Sequence, residues 1–483
     1  MEIIFIITTL IIVALLNVLI KRRLAIEFFS IIASSVALFE SVVVAVKVST
    51  AGVYAPFVFF SVDSLGAIVM LIIACVGFIT TIYSVQYLRQ ETVKGIIGFT
   101  RVRQYFVLLS IFLAAMFLAV AASNPIFAWI SIEATTLSTA FLISFYNKPS
   151  AMEAAWKYLI INSIGLLLGF FGTLLYFTST SPLGGDGFVS WQSLMANSAH
   201  LDPLIAKIAF IFVLIGYGTK VGLAPMHTWL PDAHSKAPAP ISALLSGVLL
   251  NVALVVVLRF KIITDAVVGQ HFTQNLLIAF GLLSIVIAAF IIFTQTNYKR
   301  LLAYSSIENM GIIALGFGLG GLGILGAILH MIYHALIKSA LFLSAGTIFL
   351  KYSSTKISKI RGALTVLPIT SIIFIAGFLT ITGTPPFGIF VSKVLIVSEG
   401  IKTYPVISVL ALFLMTILFV GFLKHVSSMF FSQKPEDIEV GEGTIWLIIP
   451  PLTLLAIIII VSFYIPPFLS RLINDAVAHY YYD

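Results

Sequence analysis

Lysines are costly in hydrocarbon, and this sequence places several among its apolar runs. Lys220 stands near the end of IAFIFVLIGYGTK, and the chain breaks at Pro225 within GYGTKVGLAPMHTWLPDAHSKAPAP. Lys338 follows His334 by four residues, and His334 follows His330 by four, so all three share one helix face. Lys393 comes just after a second proline break, TGTPPFG. Glu133 and Glu308 sit in two similar short contexts, SIEATTLS and SIENMGII. A lysine at the bilayer centre costs roughly 2.5–3.5 kcal/mol, so such residues must pair with one another or face water. Burial disfavours the ammonium form and a nearby carboxylate restores it. A lysine whose carboxylate partner approaches and retreats can therefore take up and release a proton near neutral pH. The chemistry that fits is a proton relay of lysines linked by histidines, hydroxyls and water. The break beside Lys220 frees backbone groups and makes room for water, so Lys220 is expected to be a switchable proton carrier.

Other charges have simpler readings. Lys207, near the start of its span, can snorkel to the interface. Glu40 lies near the end of another span, and Lys157 follows Glu153 and Trp156 in the first turns of its own, open to either reading. Two histidines four apart could bind a metal, but no local cysteine or carboxylate completes the set and Lys338 would repel a cation. No metal site is expected. The stretch GFGLGGLG holds a literal GxGxxG from Gly318 to Gly323, with neither a preceding strand nor a following acidic residue to make it a nucleotide site. The lone Cys75 excludes an intrachain disulfide and an all-cysteine iron–sulfur cluster held by this chain alone.

The elements that must position these residues are apolar helices. Of 483 residues, 60% are hydrophobic and 10% charged, and the mean hydropathy is +1.12. Soluble domains carry roughly a quarter charged residues, so this is an all-α polytopic membrane protein. The net charge of +8 resides in short loops and is no sign of nucleic acid. Apolar runs long enough to cross some 30 Å of hydrocarbon suggest about fourteen spans. Two of them, 203–236 and 364–400, are overlong and contain the prolines, so they are expected as broken helices; the last is placed at 445–470. The N-terminal run MEIIFIITTLIIVALLNVLIKRR is read as the first span, not a signal peptide. Alternate loops carry Lys21, Arg22, Arg23, Arg101, Arg103, Lys299 and Arg300, among others. The opposite loops carry only Lys47, Arg259, Lys261, Lys402 and Arg471. The bias puts the basic loops inside and both termini outside. Four units follow: helices one to three over 1–103, a five-helix repeat over 104–260, a second over 261–431, and a C-terminal helix in 432–483. Each repeat has its broken helix fourth and a carboxylate on its second helix. Five is odd, so the copies are expected to be inverted, with functional sites at the discontinuous helices.

These residues carry a family resemblance. GYGTKVGLAPMHTWLPDAHSKAPAPISALLSGVLLNVALVVVLRF resembles the antiporter-like subunits shared by respiratory complex I, Mrp sodium/proton antiporters and membrane-bound nickel–iron hydrogenases. So do VDSLGAIVMLIIACVGFI, SNPIFAWISIEATTLSTAFLISF, YKRLLAYSSIENMGIIALGFG, HMIYHALIKSALFLSAG and TGTPPFGIFVSKVLIV. The likeness spans nearly the whole chain and is nearest to the component F type of hydrogenase-4. The resemblance implies fourteen core helices in two inverted repeats and no redox cofactor in this chain, the redox centres lying in partner subunits. It implies that Glu133 and Lys220 form a coupling ion pair, that Lys338, His330 and His334 continue a central polar axis, and that Lys393 ends it near the outer exit. Many relatives have a lysine where this chain has Asn251, so His227, His234 and water are expected to bridge Lys220 to Lys338, with Lys157 and Glu308 as further relay candidates. The implied function is translocation of H+ or Na+ by a membrane subunit of a redox complex in a prokaryotic cell membrane. Its partners would be other membrane-arm and hydrophilic redox subunits. The alternatives are a degenerate scaffold that holds the membrane arm without pumping, favoured by Asn251, and a stand-alone cation/proton antiporter.

Overall fold

A chain segment in hydrocarbon must satisfy its own backbone groups, and only helices and closed barrels do so. In the computed structural model, described over residues 1–179 and 189–480, the apolar runs are helices. In order they are α1 (Glu2–Leu19), α2 (Arg23–Ala51), α3 (Ser64–Val93), α4 (Phe99–Ala121), α5 (Pro125–Ile143), α6 (Pro149–Tyr176), the short α7 (Trp191–Ala196), α8 (Pro203–Val221), α9 (Trp229–Lys236), α10 (Ala239–Leu244) and α11 (Leu250–Val268). Then follow α12 (Gln270–Ile291), α13 (Tyr298–Leu319), α14 (Leu322–Tyr352), α15 (Ala363–Val366), α16 (Pro368–Thr382), α17 (Gly388–Thr403), α18 (Pro405–Phe430), α19 (Ile449–Phe463) and α20 (Pro467–Tyr480). A small antiparallel hairpin, β1 (Tyr54–Phe57) and β2 (Phe60–Val62), joins α2 to α3. Side-chain caps set several helix starts: Asp63, Asn124, Asp202 and Asn297 each accept from backbone N–H groups in the first turn.

Among the described residues, twelve spans are long and apolar enough to cross a membrane, where the sequence suggested fourteen. The two others are interrupted. The region expected as a broken span at 364–400 is two short helices, α16 of 15 residues and α17 of 16. The last expected span, 445–470, is not one straight helix: α19 stops at Phe463 and α20 leaves at 71°. Pro466 and Pro467 lie at the bend, where proline cannot continue a helical ladder. Helix α20 buries Leu469, Leu472, Ile473 and Ala476 on one face and keeps Arg471 and Asp475 on the other. It packs on α2, α3 and α14 as an amphipathic helix lying against the bundle.

The centre of the bundle is the α10–α11 span with α13 and α14, all buried almost throughout, whereas α1, α2, α6 and α18 turn most of their surface outward. The central helices carry Asn251, Glu308, His330, His334 and Lys338, so these five flagged residues lie inside the protein rather than on its outer face. The two breaks also share a backbone. Helix α8 ends at Gly222 and α16 at Gly383, both left-handed at φ 81° and 85°, and a cis-proline peptide follows three residues on, at Pro225 and Pro386.

Candidate functional site: a buried lysine–histidine file

Lys220 occupies the last turn of α8, beside the glycine that ends it, and is wholly buried. Its Nζ donates to Tyr158 OH at 2.6 Å and Thr136 Oγ1 at 2.9 Å, and lies 4.7 Å from the centre of the Tyr158 ring. The Tyr158 hydroxyl also bonds Thr139 Oγ1 at 2.6 Å. Thus α5 and α6 hold the lysine through hydroxyls. Glu133, one turn before Thr136 on α5, instead accepts from Ser163 at 2.8 Å, and its other carboxylate oxygen has no hydrogen-bond partner. Among the described residues no carboxylate lies within 4.0 Å of Lys220, so Glu133 and Lys220, expected as a coupling pair, are not in contact here, and the Glu133 charge acts on the lysine from a distance.

The direct pair forms elsewhere. Lys393 Nζ lies 3.4 Å from Glu308 Oε1 and also donates to the carbonyls of Ile381 at 3.4 Å and Thr382 at 3.2 Å. Those carbonyls are left over where α16 stops, and a helix C-terminus favours a cation. On α14, His330 bonds Asn309 Oδ1 through Nε2 at 2.8 Å and Ser392 Oγ through Nδ1 at 2.9 Å. One turn on, the His334 ring lies 6.5 Å from that of His330, is fully buried, and has no partner on either nitrogen. One turn further, Lys338 Nζ donates to Leu302 O on α13 at 2.8 Å. The three residues form the single buried stripe that their spacing predicts.

The chain between Lys220 and Lys338 also buries uncharged polar groups. Asn251 donates to Gly247 O at 3.0 Å and leaves its own oxygen unpartnered. It follows a π-helical turn at Leu245–Leu249, a local widening often found at functional sites. Ser246 and Ser306 bond each other at 2.6 Å across α13. His227 Nδ1 and both nitrogens of His234 also lack a partner. Buried polar atoms are nearly always hydrogen-bonded to protein or ordered water, so these unpartnered atoms are the places where bound water would be accepted. Lys157 stands apart, half exposed and paired with Glu153 at 2.6 Å and Asp232 at 3.7 Å. Hydropathy and charge alone passed over Tyr158, Thr136, Asn309 and Ser392. Two of these carried a signal, since Asn309 adjoins Glu308 and Ser392 adjoins Lys393.

With that geometry in hand, comparison with known proteins is specific. The family described as NADH:quinone oxidoreductase/Mrp antiporter, TM matches residues 122–419. The family described as NADH-Ubiquinone oxidoreductase (complex I), chain 5 N-terminus matches residues 50–95. A hydrogenase-4 component F homolog of Methylacidiphilum infernorum is 39% identical over 415 residues, covering 85% of this chain and 86% of that protein. One Na(+)/H(+) antiporter subunit, from Alkalihalophilus pseudofirmus, is 28% identical over 439 residues, covering 83% of this chain but 52% of its own length. Among solved structures, a chain of the archaeal membrane-bound sulfane sulfur reductase superposes with a TM-score of 0.86 at 24% identity, over 99% of this chain and 96% of that one. A chain of the Mrp complex from Dietzia sp. DQ12-45-1b gives 0.86 at 18%, over 99% and 97%. The chain belongs to the NADH:quinone oxidoreductase/Mrp antiporter family, as one of the antiporter-like membrane subunits of complex I, Mrp antiporters and group 4 hydrogenases.

Proposed function

We propose that this chain moves protons, or sodium ions against protons, across a prokaryotic cell membrane as a subunit of a redox-driven complex of the membrane-bound hydrogenase type. The basic loops would face inward and both termini outward. The redox centres would lie in partner subunits, and this chain would contribute the ion path. The hydrogenase branch rests on the 39% identity to the component F homolog, since the Alkalihalophilus antiporter protein is matched over about half its length. The observation that carries translocation is the buried file itself: Lys220, Lys338 and Lys393 with His330 and His334, inside the protein and interleaved with unpartnered polar atoms. A scaffold would gain nothing from three buried lysines, each costly to desolvate. Glu133 would act as the mobile partner of Lys220. When its carboxylate exchanges Ser163 for the lysine side, Lys220 holds its proton, and when it returns, Lys220 releases one. Asn251 cannot carry charge, so passage from Lys220 to Lys338 would run through water held by Asn251, Ser246, Ser306 and the histidines.

The test is proton and sodium uptake by the intact complex in sealed vesicles under redox turnover, for wild type, Lys220→Ala and Glu133→Gln. Loss of uptake in both variants, with the complex assembled, is expected. Unchanged uptake in both would establish the scaffold reading instead.

A further inference from the structure

The file needs an aqueous source, and the structure holds a site on the basic-loop side that the file itself does not use. A cavity of about 270 Å³ opens there between the ends of α3, α6, α9, α13 and α14, lined by Tyr87, Tyr146, Lys148, Ser235, Lys236 and Lys299, among others. Behind Tyr87 and Tyr146 lies Glu91, wholly buried in the last turn of α3. Tyr146 donates to Glu91 Oε1 at 2.5 Å and bonds Tyr87 OH at 3.1 Å, whereas Glu91 Oε2 has no partner. A buried carboxylate with one tethered and one unpartnered oxygen is costly as structure alone.

The cavity's other wall leads inward. Lys299 is buried, and its Nζ is fixed to Ala237 O at 2.5 Å. It lines the same cavity as Tyr87 and Tyr146, and its charge favours the Glu91 carboxylate, as that of Lys94 does, while keeping His234 neutral. His234 lies one turn before Ala237, has no partner on either ring nitrogen, and stacks 4.9 Å from Phe342 of α14. Phe342 is one helical turn beyond Lys338 on the same face, and the Lys338 charge also acts on His234. Glu91, Lys299 and His234 thus form a buried line from the cavity to Lys338.

We propose that Glu91 is the proton-collecting group of an inner-side inlet, gated by Tyr146 and feeding Lys338 through His234. This rests on the translocation reading above. A proton from cavity water adds to Oε2 of the Glu91 carboxylate and gives the neutral acid. The acid passes it by water to one ring nitrogen of His234 while the other nitrogen gives its proton to the neutral Lys338 amine, so the carboxylate is restored and the ring stays neutral between the two cations. Lys299 is a positioning residue, its tethered charge holding Glu91 at the cavity wall. Lys148 and Lys236 at the mouth disfavour the approach of metal cations, so the inlet suits protons.

The experiment is the initial rate of proton uptake by the intact complex in sealed vesicles, measured against inner-side and outer-side pH. It compares Glu91→Gln, Glu91→Asp, Tyr146→Phe and Lys338→Ala. Glu91→Gln is expected to lower uptake at least tenfold and to abolish its dependence on inner-side pH alone, while Glu91→Asp restores more than half. Should Glu91→Gln fail to assemble, Tyr146→Phe tests the same gate and is expected to slow uptake several-fold. Uptake at the wild-type rate in Glu91→Gln, or in Tyr146→Phe where only that variant assembles, with uptake lost in Lys338→Ala, overturns the inlet and leaves translocation standing. Wild-type uptake in Lys338→Ala overturns both.

Discussion

At the first break Lys220 stands two residues before the left-handed Gly222 and is held by a tyrosine and a threonine. At the second, Lys393 stands ten residues after the left-handed Gly383, folds back on the carbonyls of Ile381 and Thr382, and pairs with Glu308. One backbone device therefore serves two electrostatic states. In the second half the lysine's charge is fixed by a carboxylate and a helix C-terminus together. In the first half it is solvated by neutral hydroxyls, with its candidate carboxylate parked on Ser163. A charge held only by neutral groups can be switched, and one neutralised by a carboxylate serves as an anchor. Within the proposed function, switching would fall to Lys220, and Lys393 would serve the file as its anchored end.

Replacing each lysine by methionine separates these roles most sharply. Lys393→Met strands the buried Glu308, and breaking a buried pair from one side costs about 3–5 kcal/mol. The loss is expected in the thermal stability of the assembled complex, and Lys393→Met/Glu308→Gln is expected to recover most of it. Lys220→Met strands only hydroxyls and is expected to cost about 1–3 kcal/mol. Equal losses would erase the distinction between the halves.

The glycines give a smaller test. Alanine at φ 81° or 85° carries left-handed strain of about 1–2 kcal/mol, yet the new methyl groups meet different neighbours. At Gly222 a Cβ would press on Leu230 Cδ1 at 2.6 Å, and at Gly383 on Lys393 Cδ at 2.9 Å. Gly222→Ala is therefore expected to lower stability with uptake per assembled complex retained. Gly383→Ala should lower both, because it displaces the anchor. The opposite pattern would mean that the first break, not the second, depends on lysine placement.

Much of this was legible in one dimension. Hydropathy located twelve of the fourteen expected spans, prolines located both expected breaks, and the spacing of His330, His334 and Lys338 gave a shared face that the structure contains. What one dimension could not give is which groups meet across helices. Glu133 and Glu308 sit in matching contexts, but only Glu308 reaches a lysine, because the direction of Lys393 depends on how α17 folds back on α16. Lys299 read as an ordinary loop charge, and Glu91 carried no signal that set it apart. Their burial comes from the segment around Tyr146 and from α9 closing over them, which no local pattern announces. The bend before α20 was missed because an amphipathic helix of alternating polarity lacks the apolar run by which spans are found. Lys157 looked like a relay candidate because its depth along α6 was readable and the side of α6 it occupies was not.

The most direct test of the central claim is redox-driven uptake by the intact complex carrying Lys220→Arg. Arginine keeps the charge and can bond the same hydroxyls, but it does not release a proton at accessible pH. If Lys220 works by losing and regaining its proton, uptake falls at least tenfold while the complex assembles as wild type. Uptake near the wild-type rate would show that a fixed positive charge suffices at this break, and the switching role assigned to Lys220 would be wrong.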